Sequence, residues 1–452
     1  MKTFDAIIIG AGQAGPPLAE RLTQAGQSVA VVERKFFGGT CVNTGCMPTK
    51  ALVASAYAAH LARRGADFGV MTGDVRVDMK AVAARAYKVT LDARGGVENW
   101  LHGMKTVTVM TGHARFQNAT TLQVGDELIS APKIFLNVGA RAAIPDLPGL
   151  ADVRYLTNSD MVTLDSLPSH LIIIGGSYIA LEFAQMYRRF GAQVTVIEKG
   201  EHLIAREDTD ISEAIRRILE DEGIAVHAGA ADLHIAKNGA GVSVSIGGME
   251  ITGSDLLIAT GRKPNTDDLG LDQAGVMLDQ RGYIAVGDDL QTNVPGIWAM
   301  GDCNGKGAFT HTAFNDFEII AANLLDGENR KVSDRILGYA LYIDPPLGRV
   351  GMGVAEAEKA GHKVLVSTRP MTRVGRAVEK GETKGFMKVV VDADTRKILG
   401  AAILGTGGDE AIHGVLDMMN AGVTCDVLQW AIPIHPTVSE LLPTVLKGLK
   451  PA

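Results

Sequence analysis

The chain has 452 residues, 46% hydrophobic and 21% charged, enough for two or three folded domains and ordinary for soluble protein. Lys and Arg total 44 against 51 Asp and Glu, a formal charge of −7, and aromatic residues make up only 5%; that balance argues against nucleic acid or an anionic membrane as partner. Four cysteines exclude a disulfide scaffold, and no apolar run approaches the ~20 residues of a membrane span.

The chain enters an apolar strand directly after Met1-Lys2-Thr3-Phe4-Asp5. That run is too short for the apolar core of a secretory signal, so a cytoplasmic protein is expected. Residues 6–33 read AIIIGAGQAGPPLAERLTQAGQSVAVVE: strand, glycine turn, helix, strand and acid. This is the setting of a dinucleotide fingerprint. Gly10 permits the tight turn, Gly12 lets backbone approach a pyrophosphate, and Gly15 lets helix pack on strand. Pyrophosphate charge then faces the helix N-terminus, and Glu33 accepts hydrogen bonds from a ribose.

Next comes GGTCVNTGCMPTK, residues 38–50. Pro48 suits the first turn of a helix predicted to run to about Arg64, so Cys46 lies near a helix N-terminus that favours thiolate. Residues five apart in a regular helix rise ~7.5 Å, whereas a disulfide needs Cα atoms within ~7 Å. Gly45 supplies the freedom to distort the turn. Two buried thiols or half a zinc site are the alternatives, but no second ligand pair follows, and spacing and context favour a redox pair.

Residues 171–198, LIIIGGSYIALEFAQMYRRFGAQVTVIE, repeat the first fingerprint without a gap at an offset of 165. Gly175, Ser177, Ala180 and Glu198 fall on Gly10, Gly12, Gly15 and Glu33; Ser177 is the departure. Two dinucleotide sites imply two nucleotides exchanging electrons, and FAD with NAD(P)H is the simplest such pair.

Set between the two fingerprints, GGTCVNTGCMPTK resembles the class I pyridine nucleotide–disulfide oxidoreductases, the family of glutathione reductase, dihydrolipoamide dehydrogenase and mercuric reductase. Three further segments carry the resemblance across the chain: DLLIATGRKP (255–264), TNVPGIWAMGD (292–302) and HPTVSE (435–440). The GCMPTK form is closest to the mercuric-reductase-like and copper-reductase flavoproteins. The resemblance implies an α/β fold with two Rossmann-like domains and a C-terminal α+β dimerisation domain. It divides the chain into an FAD domain at 1–150 and 262–335, an NAD(P) domain at 151–261 and an interface domain at 336–452, with strands expected at 350–353 and 386–391.

By the same resemblance, Gly10, Gly12, Gly15, Glu33, Thr40, Gly139, Asp302, Thr310 and Ala313 would hold FAD. Gly175, Ser177, Tyr178, Ile179, Glu182, Glu198 and Gly261 would serve the nicotinamide nucleotide. Lys50, paired with Glu182, would lie near the reactive flavin nitrogen, and Tyr178 would cover the nicotinamide pocket and swing aside. Cys46 would face the flavin and Cys41 would attack the acceptor. His435, held by Glu440, would shuttle the proton from the second subunit of a homodimer. Cys303 and Cys425 are expected to be small buried residues.

Glu198 accepts from a ribose 2′-hydroxyl and repels a 2′-phosphate, which favours NADH over NADPH, with Lys199 and Arg206 nearby to soften the repulsion. The acceptor is expected to be a small disulfide or a metal ion. The end of the chain, VLKGLKPA, lacks the vicinal cysteines of the usual mercuric reductases. A dihydrolipoamide dehydrogenase or glutathione reductase type is the near alternative. A low-turnover redox sensor is the remote one, and it needs none of Cys41, Cys46, Lys50, Glu182 or His435.

Overall fold

The apolar runs that open the two fingerprints become buried strands, each the centre of its own parallel sheet. Runs rich in Ile and Val with no polar alternation suit strands covered on both faces. In the computed structural model, which describes residues 1–452, the first sheet has five parallel strands. Their order is Ile297–Ala299, Ile134–Leu136, Ala6–Ile9, Val29–Glu33, Val107–Thr111. The second has four, in the order Ala225–His227, Gln193–Ile197, His170–Ile174, Asp255–Ile258. Each fingerprint helix, Gly15–Gln24 and Tyr178–Phe190, crosses back over its sheet, as a βαβ unit requires.

The chain leaves the first sheet at Ile134–Leu136 and returns to it at Ile297–Ala299, so the second sheet is an insertion. An antiparallel pair, Ala140–Ala142 with Arg262–Pro264, ties the exit to the return. Residues 338–451 form a six-stranded antiparallel sheet flanked by short helices. Two of its strands, Leu347–Gly351 and Phe386–Asp392, fall on the predicted segments. The first of these ends at Gly351, so Met352 and Gly353 lie beyond it, and the next helix starts at Val354. The architecture is thus two Rossmann-like layers and a C-terminal α+β unit.

A 34-residue apolar cluster joins these parts. It runs from Ala51, Leu52 and Ala56 of the Cys46–Arg63 helix through Phe183 and Tyr187 to Leu341, Leu347 and Leu404 of the C-terminal sheet. At ~25 cal/mol per Å² of apolar surface removed from water, such a cluster locks the three parts against sliding. The cysteine-bearing helix is thereby fixed at their common junction. No helix is long and apolar enough to cross a membrane.

Candidate active site

A cleft of ≈ 800 Å³ runs from the first glycine turn, past Glu33, to the cysteine pair and on to Tyr178. Gly10, Gly12, Glu33, Thr40, Cys41, Cys46, Lys50, Gly139, Tyr178, Ile179, Glu182, Asp302, Thr310 and Ala313 all line it. Gly15, Gly175, Ser177, Glu198, Gly261, His435 and Glu440 do not.

The floor is bare backbone. Gly10 has φ +101°, and a Cβ there would lie 2.3 Å from the Asn137 carbonyl oxygen. A Cβ on Gly39, at φ +63°, would lie 2.9 Å from the Gly12 Cα. Only glycine lets the two turns and the Asn137 strand end meet at this distance. Asn137 Nδ2 donates to the Gly10 carbonyl, 3.1 Å, and the Gly38 amide donates to the Ala11 carbonyl, 2.8 Å. Buried Glu33 closes one end: Oε2 accepts from the Ala11 amide, 2.9 Å, and Oε1 from the Lys35 amide, 2.8 Å. A cradle without side chains, a carboxylate at one end and thiols at the other fit an extended dinucleotide flavin.

The second turn repeats this construction. Gly175 has φ +120° and its Cβ would strike the Ala259 carbonyl at 2.3 Å; Glu198 Oε1 accepts from the Gly200 amide at 2.7 Å. Ser177 is the residue before the Tyr178–Phe190 helix.

The helical path breaks between the cysteines. Cys41 lies in a five-residue helix, Gly39–Asn43, and Cys46 is the first residue of the Cys46–Arg63 helix. A Cβ on Gly45 would lie 2.9 Å from the Thr40 carbonyl oxygen, so the chain folds back tightly enough to stack residue 46 on residue 41. Asn43 pins the fold-back by donating to the Phe37 and Gly39 carbonyls, 2.9 and 2.8 Å, and Arg94 Nε holds its oxygen at 2.7 Å. Both cysteines are free thiols in this structure, and their ionisations are linked.

That linkage separates the two thiols electrostatically. The Cys41 hydrogen bond, the Thr310 hydroxyl 3.3 Å away and the Lys50 charge bring the Cys46 thiol down to about 6 against the pull of burial. Cys41, as the donor and half-buried, is pushed far up. The pair thus favours the thiolate at Cys46 over Cys41.

Lys50 lies one helical turn beyond Cys46. Its Nζ donates to both oxygens of Glu182, 3.0 and 2.8 Å, and sits 4.5 Å from the centroid of Tyr342. The Tyr342 amide donates to the same carboxylate, 3.1 Å. With its side chain 2% exposed, Glu182 has its charge fully compensated.

Asp302 is engaged by a partner that the sequence did not point to: Arg262 Nη2 at 2.9 Å. The start of the Thr310–Leu325 helix faces the cleft beside it. Buried Asp316 holds this corner by accepting from the Gly301 amide and Asn304 Nδ2, both 2.8 Å, and by pairing with Arg335. Asn137 and Tyr342 carry no motif of their own, and Arg262 lies within DLLIATGRKP, where nothing pointed to Asp302 as its partner. The one available signal for Asn137 is that residues 137–139 and 259–261 both end an apolar strand with a glycine two places on.

His435 Nδ1 meets Glu440 Oε2 at 2.9 Å, yet its side chain is 80% exposed. Trp430, Ile432 and Ile434 beside it are also exposed. Cys303 and Cys425 are both fully buried.

Two nucleotide-binding sheets, a flavin-shaped cleft and a polarised cysteine pair define a flavoprotein disulfide oxidoreductase. Comparison with known proteins agrees. The chain belongs to the pyridine nucleotide-disulphide oxidoreductases: that family's model matches residues 4–316 and its dimerisation-domain model residues 338–446. It is an oxidoreductase of a family that uses FAD and NAD(P)H. Among its relatives, the probable pyridine nucleotide-disulfide oxidoreductase RclA of Escherichia coli is 36% identical, with 98% of each chain covered. The dihydrolipoyl dehydrogenase of Thermus scotoductus is 34% identical (99% and 98%), and the mercuric reductase of Streptomyces lividans 33% (97% and 94%). The solved Cu(II) complex of HOCl-induced flavoprotein disulfide reductase RclA from Escherichia coli superimposes with a TM-score of 0.91 at 34% identity, covering 99% of both chains.

Proposed function

We propose that this chain takes electrons from NADH at the Tyr178 end of the cleft and delivers them, through the Cys41–Cys46 pair, to a thiophilic metal ion. FAD, when bound, supplies the two-electron relay between the nicotinamide and the sulfur pair. Gly10, Gly12, Glu33, Thr40, Gly139, Asp302, Thr310 and Ala313 would hold it, with Glu33 on the adenosine ribose and Asp302 on the ribityl chain. We assign 1–150 with 262–335 to the FAD domain, 151–261 to the nicotinamide domain and 336–452 to the interface domain.

The observation that carries this reading is the polarised pair. A thiolate at Cys46 and a proton held on Cys41 form a dithiol ready to release two electrons. Closing the Cys41–Cys46 bond from this state releases one proton, from Cys41, and two electrons, which reduce two cupric ions to cuprous or, with one further proton from solvent, one small disulfide to two thiols. In the disulfide case Cys41 attacks, a mixed disulfide forms, and Cys46 then displaces it. Lys50 and Glu182 keep a fixed charge beside the sulfurs. The partner subunit's His435, oriented by Glu440, takes the proton from Cys41. The dimerisation-domain match and the exposed run Trp430, Ile432, Ile434 and His435 support a homodimer in which that histidine reaches the neighbouring site.

The metal acceptor is favoured over a small disulfide by the similarity to a reductase solved with Cu(II) and to mercuric reductases. Glu198 favours NADH over NADPH; of the two cations that could soften that choice, Lys199 and Arg206, the second is drawn over the Tyr339 ring, 5.2 Å away. The test follows NADH loss by purified holoenzyme with Cu(II), Hg(II) and a small disulfide in turn. Cys41→Ser should abolish acceptor reduction while NADH still bleaches the yellow colour. Acceptor turnover that survives the substitution rejects the dithiol route, and turnover of disulfide with none of metal rejects the metal assignment.

A further inference from the structure

Tyr178 does not stand alone at its end of the cleft. Its ring packs against Phe309, centroids 5.5 Å apart and planes tilted by 41°. Phe309 lies between two further rings, Tyr339 at 5.6 Å and 6°, and His311 at 5.4 Å and 11°, both nearly parallel. Tyr339 is fixed in turn. Its hydroxyl donates to Glu207, whose side chain is 1% exposed and also faces Arg349 at 3.4 Å. The Arg206 guanidinium sits 5.2 Å from the Tyr339 centroid, and His311 Nε2 is tied to the Gly338 carbonyl at 2.8 Å. Three separate stretches of chain, near residues 206, 309 and 339, build one wall.

The contacts in this wall are unequal. Phe309, Tyr339 and His311 are parallel stacks, and both flanking rings carry an anchoring hydrogen bond. Tyr178 makes only a tilted ring contact, lies half-buried at the edge of the 34-residue cluster, and has no hydrogen bond anchoring its hydroxyl. It is the member free to move, and Phe309 is the surface it rests on.

We propose that Phe309, backed by Tyr339 and the buried Glu207, is a positioning residue that holds Tyr178 in its resting place and so sets the cost of admitting the nicotinamide. The inference rests on the placement of the nicotinamide site at Tyr178. Aromatic pairs of this geometry bias a two-state position by roughly two- to tenfold. Removing the Phe309 ring releases Tyr178 and makes entry easier, so KM for NADH falls. It also opens the cleft, so NADH is oxidised by dissolved oxygen when no acceptor is present.

The test uses holoenzyme carrying Phe309→Leu, Tyr178→Ala and both together. Wild-type bleaching by NADH checks the nicotinamide site itself; its absence would sink that reading and leave the wall untouched. Phe309→Leu is expected to lower KM for NADH about two- to tenfold, with kcat changed less than KM, and to raise acceptor-free oxygen uptake. In the Tyr178→Ala background the same change should do nothing further, because the ring it positions is gone. Additive effects of the two substitutions, or a KM that does not fall in Phe309→Leu, overturn the proposal. If Phe309→Leu does not fold, Tyr339→Leu removes the backing from the other side and must lower KM in the same sense.

Discussion

In the reduced protein Cys46 should titrate as a thiol of pKa about 6 rather than the ordinary 9.0, and the causes rank in a testable order. The Cys41 hydrogen bond is the largest, the Thr310 hydroxyl follows, and the Lys50 charge comes third. At pH 7 the shift leaves roughly nine-tenths of Cys46 as thiolate, against about one-hundredth for an unperturbed thiol. Iodoacetamide alkylation of the dithionite-reduced enzyme, followed by peptide mass, reads this directly as a rate that rises with pH to a plateau. The midpoint should lie near 6 in the parent protein. It should move up most in Cys41→Ala, less in Thr310→Val and least in Lys50→Met. A depressed pKa also fixes the sign of the stability effect: the reduced fold gains stability as pH rises from about 6 toward 9 and loses it as pH falls through about 6. A parent midpoint near 9, or a larger rise in Lys50→Met than in Cys41→Ala, would refute the view that the partner thiol holds the thiolate.

Gly10→Ala should yield colourless protein with a lowered melting temperature, because the new methyl meets the Asn137 carbonyl at 2.3 Å on a backbone of φ +101°; full yellow colour on purification would contradict the cradle. Glu182→Ala leaves Lys50 with the Tyr342 ring and the Cys46 sulfur but no carboxylate, and urea unfolding should show a loss of about 1–3 kcal/mol, below the range for a fully buried pair because Lys50 is 33% exposed. Glu198→Ser removes the carboxylate proposed to meet the ribose, so the ratio of kcat/KM for NADH over NADPH should fall several-fold, measured as initial rates with each nucleotide.

How much of this was legible depends on how local the signal is. The two fingerprints were read from sequence because a buried strand, a glycine with positive φ and an amphipathic helix each leave their mark within a few residues. The cysteine pair was only half legible. A continuous helix would have held residues 41 and 46 too far apart, and the sequence offered Gly45 alone as the way out. The structure supplies the rest, with a helix that ends at Asn43 and a new one that begins at Cys46, pinned by Arg94 from far along the chain. The Lys50–Glu182 pair came from family likeness and not from spacing. Arg262 on Asp302, Tyr342 on Lys50 and the Phe309 wall were not foreseen at all. Each joins residues tens to hundreds of places apart and depends on how the inserted sheet and the C-terminal sheet meet the first.

The irregularity at Ser177 in the duplication has a physical explanation in the partner strands. Beneath the first turn lies Asn137, whose side-chain amide would be 3.3 Å from any Cβ at position 12 while it donates to the Gly10 carbonyl. A side chain there would press on that amide and force it to shift by a few tenths of an ångström. Beneath the second turn the matching strand end is Ala259, which meets Gly175 through its carbonyl in the same way but has no long side chain to reach position 177. Ser177 therefore stands where Gly12 stands in the first copy without a clash. The second turn keeps the positive-φ glycine its backbone needs, and Ser177 and Ala180 replace the other two.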